Sequence, residues 1–467
     1  MDLMCTPKLA VSMLATCYFL GQAAGGLLTF PMPDRIGRWK THAIFGTGSL
    51  FAQLTLLLAP LYWVRLPAMA LLGSMMIKNS LAYIWGFEIT HSTHKSFASS
   101  VINLVDFSNA AVAGIFFLYV DRDWYPLYST WVGMSVAAYL ALLLFCVESP
   151  KWLLMQGNTR GAIKSLNYIA WFNGSAYRVP DGTTFVESAL SRGEEGRRPQ
   201  PVFASLSSQL NFSEITVTGP DGEMKTVSKE TQMFEFVVIS CLYAMCYMQY
   251  GLAYLTLAHR GGNMFVNGIL LSVAEAASAA ITGWALVDWG VADTSVFRVC
   301  AILSITSNLA YFALGGAGAE WARYTTLFIS YLGQAGCFNC VFAVMELRFP
   351  PRSMGSAIAV SMQFFAPLLC SANPLVASAD SPFPLFWMVA LASTQFVWTF
   401  LLPPPGQYMP SADSLRGDDG AGAEGLDGKM LPYEARNSHI DAPLHHEKVH
   451  NVVRPTRLAS QASFVEA

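Results

Sequence analysis

Eleven long apolar runs dominate this sequence, and polar or charged segments separate them. An α-helix needs about 20 apolar residues to cross roughly 30 Å of hydrocarbon, and these runs reach or approach that length. Backbone polar groups in lipid must be satisfied internally, and barrel strands would alternate in polarity, so helices are favoured over strands. The sequence therefore predicts an all-α polytopic membrane protein. The runs are Leu9–Phe30, Ala43–Trp63, Leu66–Phe87, Phe97–Val120, Leu127–Val147, Phe234–Ala258, Phe265–Val287, Val296–Ala317, Tyr324–Met345, Gly355–Ala377 and Pro384–Leu402.

The composition fits a chain whose main solvent is the bilayer. Apolar residues make up 53% of the 467 residues and charged residues 13%, with a mean hydropathy of +0.39. A net charge of −3 without a basic cluster argues against nucleic-acid binding. No P-loop occurs and no nucleophile with its base can be assembled, so neither an enzyme nor a cofactor is predicted.

Two groups of potential metal ligands are interpreted as ordinary structural or solvated residues. Cys337 and Cys340 form a Cys-x-x-Cys pair, but they lie inside an apolar run without a nearby histidine. The histidines of the carboxyl-terminal tail belong to a segment without apolar periodicity, which we expect to be solvated and disordered. No metal site is predicted.

The apolar runs fall into two groups, which gives four predicted segments. Residues 1–147 form an amino-terminal transmembrane bundle of five spans, and 234–402 form a carboxyl-terminal bundle of six. Residues 148–233 are a polar central loop with a helical start at Trp152–Phe172, and 403–467 are the disordered tail. Equal halves would need a twelfth span before residue 1, so the first helix of a 6+6 plan is predicted to be missing.

Basic residues in the loops predict the orientation of the spans. When the turn at 34–42 is placed inside, the short inner loops hold seven Lys and Arg residues against four in the outer loops. The central loop and the tail then lie on the cytoplasmic side, and the amino terminus lies outside. The protein is predicted to be a multi-pass protein of the plasma membrane or an organelle membrane. The glycosylation acceptors Asn173 and Asn211 should stay unmodified in this topology.

Several short segments carry a family resemblance. The turn Pro33–Lys40 (PDRIGRWK) follows a Gly-rich run, and Glu148–Leu154 (ESPKWLL) follows the fifth span. Together with Tyr250–Leu252, Gly261–Asn267 and Met345–Gly355, these segments resemble the major facilitator superfamily, in particular its organic cation and anion transporter branch. The resemblance implies two helical bundles with a solute site near the midplane between them.

The charges at the inner ends of the spans form a predicted conformational latch. Carriers that alternate between two states need contacts that exist in only one of them, and ion pairs between helix ends can supply such contacts. The alternative is that these are solvated loop charges, because an exposed pair contributes only about 0–1 kcal/mol. The predicted latch residues are Asp34, Arg35, Gly37, Arg38, Glu88, Lys95, Glu148, Lys151, Glu346 and Arg352.

Charged residues inside the spans are the first candidates for the solute site. A charge at the centre of a membrane helix costs about 2.5–3.5 kcal/mol on translocon scales, so it usually has a function or a partner. Asp106 shares a polar helix face with Asn103 and Asn109, and Glu275 lies in the seventh run. Two roles remain open for these carboxylates: attraction of a cationic solute and coupling of transport to a proton. The alternative is a structural ion pair of Lys78 with either of them.

Aromatic and amide side chains complete the predicted site. Tyr243, Tyr247, Tyr250 and Tyr254 recur at spacings of four, three and four, which places them on one helix face. Tyrosine faces attract organic cations at about 0.5–2 kcal/mol each, although such stripes are also common in simple packing. The tenth run has no charged residue. In the family that the sequence resembles, a charged residue on this helix commonly helps to select cations or anions, and the corresponding position here falls beside Gln363. The sign of the solute's charge therefore stays open.

The leading hypothesis is a secondary transporter that moves a small organic solute by alternating access, with a proton or ion as a candidate coupling partner. The solute would be an organic ion, a zwitterion or a sugar-like molecule. The rival is a degenerate carrier that acts as a receptor or scaffold, or a truncated gene product. Phe30, where the family has glycine, and the missing first helix favour the rival.

Overall fold

The computed structural model describes residues 7–29, 32–90, 95–181, 183, 215–218, 224–287, 289, 291–314, 320–348, 360–380 and 382–402. The chain divides into two units, Met1–Gly417 and Asp418–Ala467. The second unit and the rest of the predicted tail lie outside the described residues, so the fold below is that of the first unit.

The amino-terminal half consists of helices of very different lengths. Four of them are long: α1, α3, α6 and α7. The others are a short helix in the charged turn, α2, and two halves of a broken helix, α4 and α5. Their bounds are Lys8–Thr29 (α1), Met32–Ile36 (α2), Arg38–Leu58 (α3), Tyr62–Ser74 (α4), Ile77–Ile89 (α5), Lys95–Tyr119 (α6) and Trp124–Phe145 (α7).

The described parts of the central loop contain two helices and one hairpin. Helices α8 (Pro150–Met155) and α9 (Thr159–Phe172) coincide with the predicted helical start, but Gly157 at φ 71° separates them. Strands β1 (Ile215–Thr218) and β2 (Met224–Val227) pair antiparallel, with Ile215 opposite Val227. Among the described residues, this hairpin is the β structure in an otherwise helical fold, and it lies outside the predicted spans.

The carboxyl-terminal half begins with α10 (Lys229–Leu255). Its three following long helices are α11 (Met264–Val287), α12 (Asp293–Leu314) and α13 (Glu320–Arg348). A 3₁₀ turn, Leu257–Arg260, joins α10 to α11. The tenth run forms a π turn, Val360–Phe365, and two short helices, α14 (Ala366–Cys370) and α15 (Asn373–Ser378). The chain then forms α16 (Phe383–Trp398) and a 3₁₀ turn, Thr399–Leu401.

Each of the eleven predicted spans overlaps a helical segment among the described residues. Eight segments are long and apolar enough by themselves to cross a membrane, namely α1, α3, α7, α10, α11, α12, 360–378 and 383–401. The other three predicted spans correspond to the α4–α5 pair, to α6 and to α13. A polytopic helical protein with about eleven spans is therefore confirmed.

The third predicted span is not one continuous helix. It breaks at Met75 and Met76, directly after Gly73, whose Cα lies against the backbone of Tyr18 on α1 so closely that a Cβ would overlap it. The carbonyl oxygens of Leu71, Leu72 and Gly73 are satisfied by N–H groups at the break. The sequence-based continuous helix was wrong here because apolar periodicity carries no signal for such a break.

Two prolines explain the irregular tenth span. Pro367 has no N–H for the carbonyl of Gln363, and its ring would crowd that carbonyl in a regular helix. The chain widens into the π turn at this point. Pro374 likewise follows the turn at Ser371 and Ala372, where the helix is interrupted.

The two halves meet along two helix pairs. Helix α1 packs against the π turn, α14 and α15, and α6 packs against α11. At Gly26 the first contact is close enough that a Cβ would overlap the backbone of Gln363, and at Gly114 the second approaches the carbonyl of Phe265. Small residues at such crossings allow close helix packing in membranes. The predicted site residues lie near these two contacts.

Candidate functional site

Glu275 is a fully buried carboxylate in the middle of α11, with 0% of its surface exposed. The Tyr254 hydroxyl on α10 lies 2.8 Å from both carboxylate oxygens. Among the described residues no Lys, Arg or His lies within ion-pair distance of Glu275. A buried carboxylate without a counter-charge is costly, so this position suits a cationic group or a proton.

The four predicted tyrosines of α10 form two pairs with different partners. Tyr250 and Tyr254 are linked through their hydroxyl oxygens, 3.2 Å apart, and so extend the contact to Glu275. Tyr243 and Tyr247 stack on each other with ring centroids 6.1 Å apart. Phe338 of α13 joins the two pairs, because its ring stacks on Tyr250 at 4.7 Å and on Tyr247 at 6.4 Å.

Asp106 approaches this group from the other half of the protein. It lies on α6, which packs on α11, and its side chain is exposed. It is close enough to interact electrostatically with Glu275, Tyr250 and Tyr254. Asn109 donates to the Asp106 carbonyl at 2.8 Å, whereas the side chain of Asn103 lies outside the described residues. One carboxylate on α6 and one on α11 therefore lie near the contact of these two helices.

The alternative role for the carboxylates, an ion pair with Lys78, is not formed in this structure. Lys78 Nζ donates to Asn79 Oδ1 at 3.0 Å, and no ion pair of Lys78 occurs among the described residues. Lys78 lies on α5, whereas Asp106 and Glu275 belong to the α6–α11 contact. Among the described residues, neither carboxylate is therefore held in an ion pair with Lys78.

Gln363 lies at the second contact between the halves. Its amide nitrogen donates to the hydroxyl of Ser80 on α5, and its backbone faces Gly26 of α1. Nearby, the Tyr247 hydroxyl donates to Gln22 Oε1 at 3.2 Å. Gln363 and Tyr247 therefore join the halves through polar contacts, and Gln363 has no described contact with Glu275.

Three of the predicted latch residues are in contact through Arg38, which pairs with Asp34 and Glu88. Arg38 is 5% exposed, and its guanidinium binds both oxygens of Glu88 at 3.1 and 3.2 Å. It also lies 2.9 Å from Asp34 Oδ1 and donates to the carbonyl of Pro33. All of these partners belong to the amino-terminal half.

Glu148 binds the amino terminus of α3. Its carboxylate accepts hydrogen bonds from the backbone N–H groups of Arg38 and Trp39, at 2.8 and 3.2 Å. Gly37 precedes them at φ 103°, and a Cβ at this position would overlap Glu148 Oε2. An anion at a helix amino terminus is stabilised by the free N–H groups and the helix dipole.

The remaining latch residues have no such partners or lie outside the described residues. Arg35 and Lys151 form no ion pair among the described residues. The side chains of Lys95 and Glu346 are not described, and Arg352 lies outside the described residues altogether. The described ion pairs of the latch stay within one half, so its role in joining the halves stays a prediction.

Three contact residues were not predicted from the sequence. Phe338 was counted only as an apolar residue of a span, although it connects both tyrosine pairs. Gln22 and Ser80 are polar residues within predicted spans, and their polarity is the sequence signal that points to such contacts. A span-interior amide is expensive unless it has a partner.

Arg260 was also missed as a charge of special interest, because it was counted only as a basic loop residue. It is fully buried directly after α10, and its guanidinium donates to Asn308 Oδ1 at 2.9 Å. It lies over the rings of Tyr311 and Tyr331 at 5.7 and 5.5 Å. Burial lowers the pKa of Arg260, and the neighbouring rings and amide stabilise its charge.

A helical membrane protein with a buried carboxylate and tyrosines where α10, α11 and α6 lie close together is the class that this geometry defines. A family model described as Major Facilitator Superfamily matches residues 5–374. Because this match covers more than half of the chain, the protein belongs to the Major Facilitator Superfamily. It is a multi-pass membrane protein, as the sequence predicted.

Two curated relatives support the predicted branch. The chain is 24% identical over 373 residues to the organic cation/carnitine transporter 4 of Arabidopsis thaliana, covering 77% of this chain and 65% of the relative. It is 22% identical to the organic cation transporter protein of Drosophila melanogaster, covering 86% of this chain and 70% of that relative. The chain thus spans about two thirds of the length of each relative.

The fold also resembles a solved transporter structure. The xylose transporter XylE from E. coli, in a partially occluded inward open conformation, superposes with a TM-score of 0.55 at 12% identity. The match covers 85% of this chain and 88% of that chain. At this identity the similarity concerns the fold alone.

Proposed function

We propose that this protein is a secondary transporter that moves a small organic solute with a cationic group, either an organic cation or a zwitterion, by alternating access. The observation that carries the proposal is the buried, unpaired Glu275 carboxylate held by Tyr254 at the contact between the halves. A positively charged ligand group would compensate this charge.

The surroundings of Glu275 support a cationic ligand over an anionic or sugar-like one. Asp106 adds a second negative charge from the opposite half, and the rings of Tyr250 and Phe338 offer aromatic faces nearby. Cations bind such faces favourably, whereas two carboxylates repel an anion. The names of both relatives record organic cations, and one also records carnitine.

Alternating access is supported by the position of these residues. Asp106 and Glu275 belong to different halves, so a solute or proton between them would respond to a change in the angle between the halves. The same carboxylates could release a proton as the solute binds, which would couple transport to a proton gradient. The coupling ion is part of the proposal and is tested together with it.

The decisive experiment measures uptake into proteoliposomes that contain the purified chain. A panel of labelled organic cations, zwitterions, anions and sugars is compared for the wild type, Glu275→Gln and Asp106→Asn. We expect saturable uptake of a cation or zwitterion, and a loss of at least about tenfold in Glu275→Gln, equivalent to about 1.4 kcal/mol. Glu320→Gln, an exposed carboxylate at the start of α13, is the matched control and should keep full uptake.

The same panel tests the proposed coupling and the proposed charge. Proton coupling predicts that an inward proton gradient accelerates uptake in the wild type. Preferred uptake of an anion or a sugar, unaffected by Glu275→Gln, would contradict the proposed substrate class.

A receptor or scaffold is the second candidate function. It is favoured by one observation: the described ion pairs of the predicted latch lie within the amino-terminal half, so they do not connect the two halves. A receptor would bind a cation in a Glu275-dependent manner, seen as a ligand-induced rise in melting temperature, without any uptake. A transporter would show both.

A further inference from the structure

One exposed face of α9 carries basic side chains followed by aromatic ones. Arg160, Lys164, Tyr168 and Trp171 follow one another at spacings of four, four and three residues, which places them along one stripe of the helix. Phe172 lies one turn beyond Tyr168 and stacks on it, with ring centroids 6.4 Å apart. Trp171 and Phe172 are 63% and 61% exposed, and Arg160 and Lys164 are exposed as well.

The opposite face of α9 packs toward α8 and the segment that follows α7. Ala162, Ile163 and Ser165 are buried, and the Ser165 hydroxyl donates to the carbonyl of Glu148, just after α7. Asn158 caps the helix by accepting from the N–H of Gly161. The basic and aromatic stripe is therefore held in a fixed position beside the end of α7.

The aromatic part of the stripe continues the exposed apolar surface at the end of α7. The rings of Phe172 and Phe145, the last residue of α7, lie 6.4 Å apart. Phe145 and the neighbouring Leu144 are 55% and 71% exposed, and α7 is a candidate membrane span. Aromatic side chains are enriched where membrane and water meet. Trp171 and Phe172 therefore extend the exposed apolar surface at the end of α7, as residues at a membrane interface do.

The basic part of the stripe has no protein partner among the described residues. Neither Arg160 nor Lys164 forms an ion pair there, and Lys151 at the start of α8 is exposed and unpaired as well. Basic side chains next to aromatic residues at a membrane interface are complementary to phosphate groups above an acyl layer. A soluble phosphate would leave the aromatic half of the stripe without a role.

We propose that the exposed face of α9 is a binding site for an anionic phospholipid, with the phosphate on Arg160 and Lys164 and the acyl region on Trp171 and Phe172. The site lies on the central loop, away from the α6–α11 contact, and it is independent of which solute the protein transports. It would tie the central loop to the membrane beside α7.

Native mass spectrometry of the purified full chain tests this site. Phosphatidylglycerol and phosphatidylcholine with the same acyl chains are titrated, and apparent affinities are read from the lipid adducts. We expect tighter binding of phosphatidylglycerol, and a loss of about fivefold for each charge removed in the variant Arg160→Gln/Lys164→Gln, or about 1 kcal/mol each. The affinity for phosphatidylcholine should not change in this variant.

A matched control comes from the opposite end of α7. Arg122 is an exposed arginine before α7, and Arg122→Gln removes a charge without touching α9. It should keep the wild-type affinity for phosphatidylglycerol. Trp171→Ser/Phe172→Ser should weaken the binding of both lipids, because it removes the apolar part of the site. Melting temperatures of all variants show that each is folded.

Three results would overturn the proposal. The first is an unchanged affinity of Arg160→Gln/Lys164→Gln for phosphatidylglycerol, and the second is an equal loss in Arg122→Gln. The third is displacement of the lipid by excess sn-glycerol 1-phosphate, which would show that a free phosphate is sufficient. If the double variant does not fold, Lys164→Gln alone gives the same comparison at about half the expected effect in free energy.

Discussion

Gly37 illustrates how a single backbone position constrains the inner end of the amino-terminal half. Its φ of 103° is strained for any residue with a side chain, and a Cβ would overlap the carboxylate of Glu148. That carboxylate binds the free N–H groups of Arg38 and Trp39 at the start of α3. Glycine is thus required by conformation and by space at the same time.

Gly37→Ala should therefore destabilise the protein by about 1–3 kcal/mol. The measurement is thermal unfolding of the purified protein in detergent. Gly174 has a φ of 68° with no atom near its Cβ position, and Gly133 has neither feature. We expect Gly174→Ala to cost less than Gly37→Ala, and Gly133→Ala to cost nothing. Equal melting temperatures for Gly37→Ala and Gly133→Ala would refute this explanation.

The pairs around Arg38 differ in burial, which predicts unequal effects of two similar substitutions. The side chains of Arg38 and Glu88 are 6% and 11% exposed, whereas Asp34 is 70% exposed. Removing one partner of a buried pair costs about 3–5 kcal/mol, while an exposed pair contributes about 0–1 kcal/mol. Glu88→Gln should lower the melting temperature clearly, and Asp34→Asn should barely change it. A larger effect of Asp34→Asn would contradict this ranking.

At the scale of elements, the contact of α1 with the π turn depends on two residues far apart in the sequence. Pro367 leaves the carbonyl of Gln363 without its helical donor and widens the chain into the π turn. Gly26 allows α1 to approach that backbone. The close contact between the halves thus requires the proline on one side and the glycine on the other.

Gly26→Leu should separate α1 from the π turn at a cost of about 1–3 kcal/mol, because overpacking forces helices apart. Thermal unfolding measures the cost, and the uptake assay shows whether the contact between the halves matters for transport. Gly133→Leu is the control, since nothing lies near its Cβ position. Unchanged stability and uptake in Gly26→Leu would argue against this contact.

The whole molecule has a predicted orientation that can be tested without knowing the solute. Asn173 ends α9 and is exposed, so a glycan on its acceptor sequence would place the central loop outside. With the central loop inside, neither Asn173 nor Asn211 should carry a glycan after expression in a eukaryotic cell. A mobility shift that glycosidase treatment removes, and that Asn173→Gln abolishes, would reverse the orientation.

The sequence determined the class of protein and most of its helices. A run of about 20 apolar residues can be stable in lipid only as a helix, so length and hydropathy alone were sufficient for eleven spans. The segments Pro33–Lys40 and Glu148–Leu154 pointed to the superfamily that the family model confirmed. Glu275 and Asp106 stood out in the sequence as candidates because a charge within a span is expensive.

The tertiary structure decided which of these residues meet. Helical spacing placed four tyrosines on one face, but only packing against α11 and α13 separates Tyr254, which binds Glu275, from Tyr247, which binds Gln22. From the sequence alone, Lys78 was likewise a candidate ion-pair partner for Asp106. In the structure, Lys78 Nζ donates to Asn79 Oδ1 instead. Hydropathy reports which residues avoid water along one helix, whereas the contacts between helices depend on side chains brought together from distant parts of the chain.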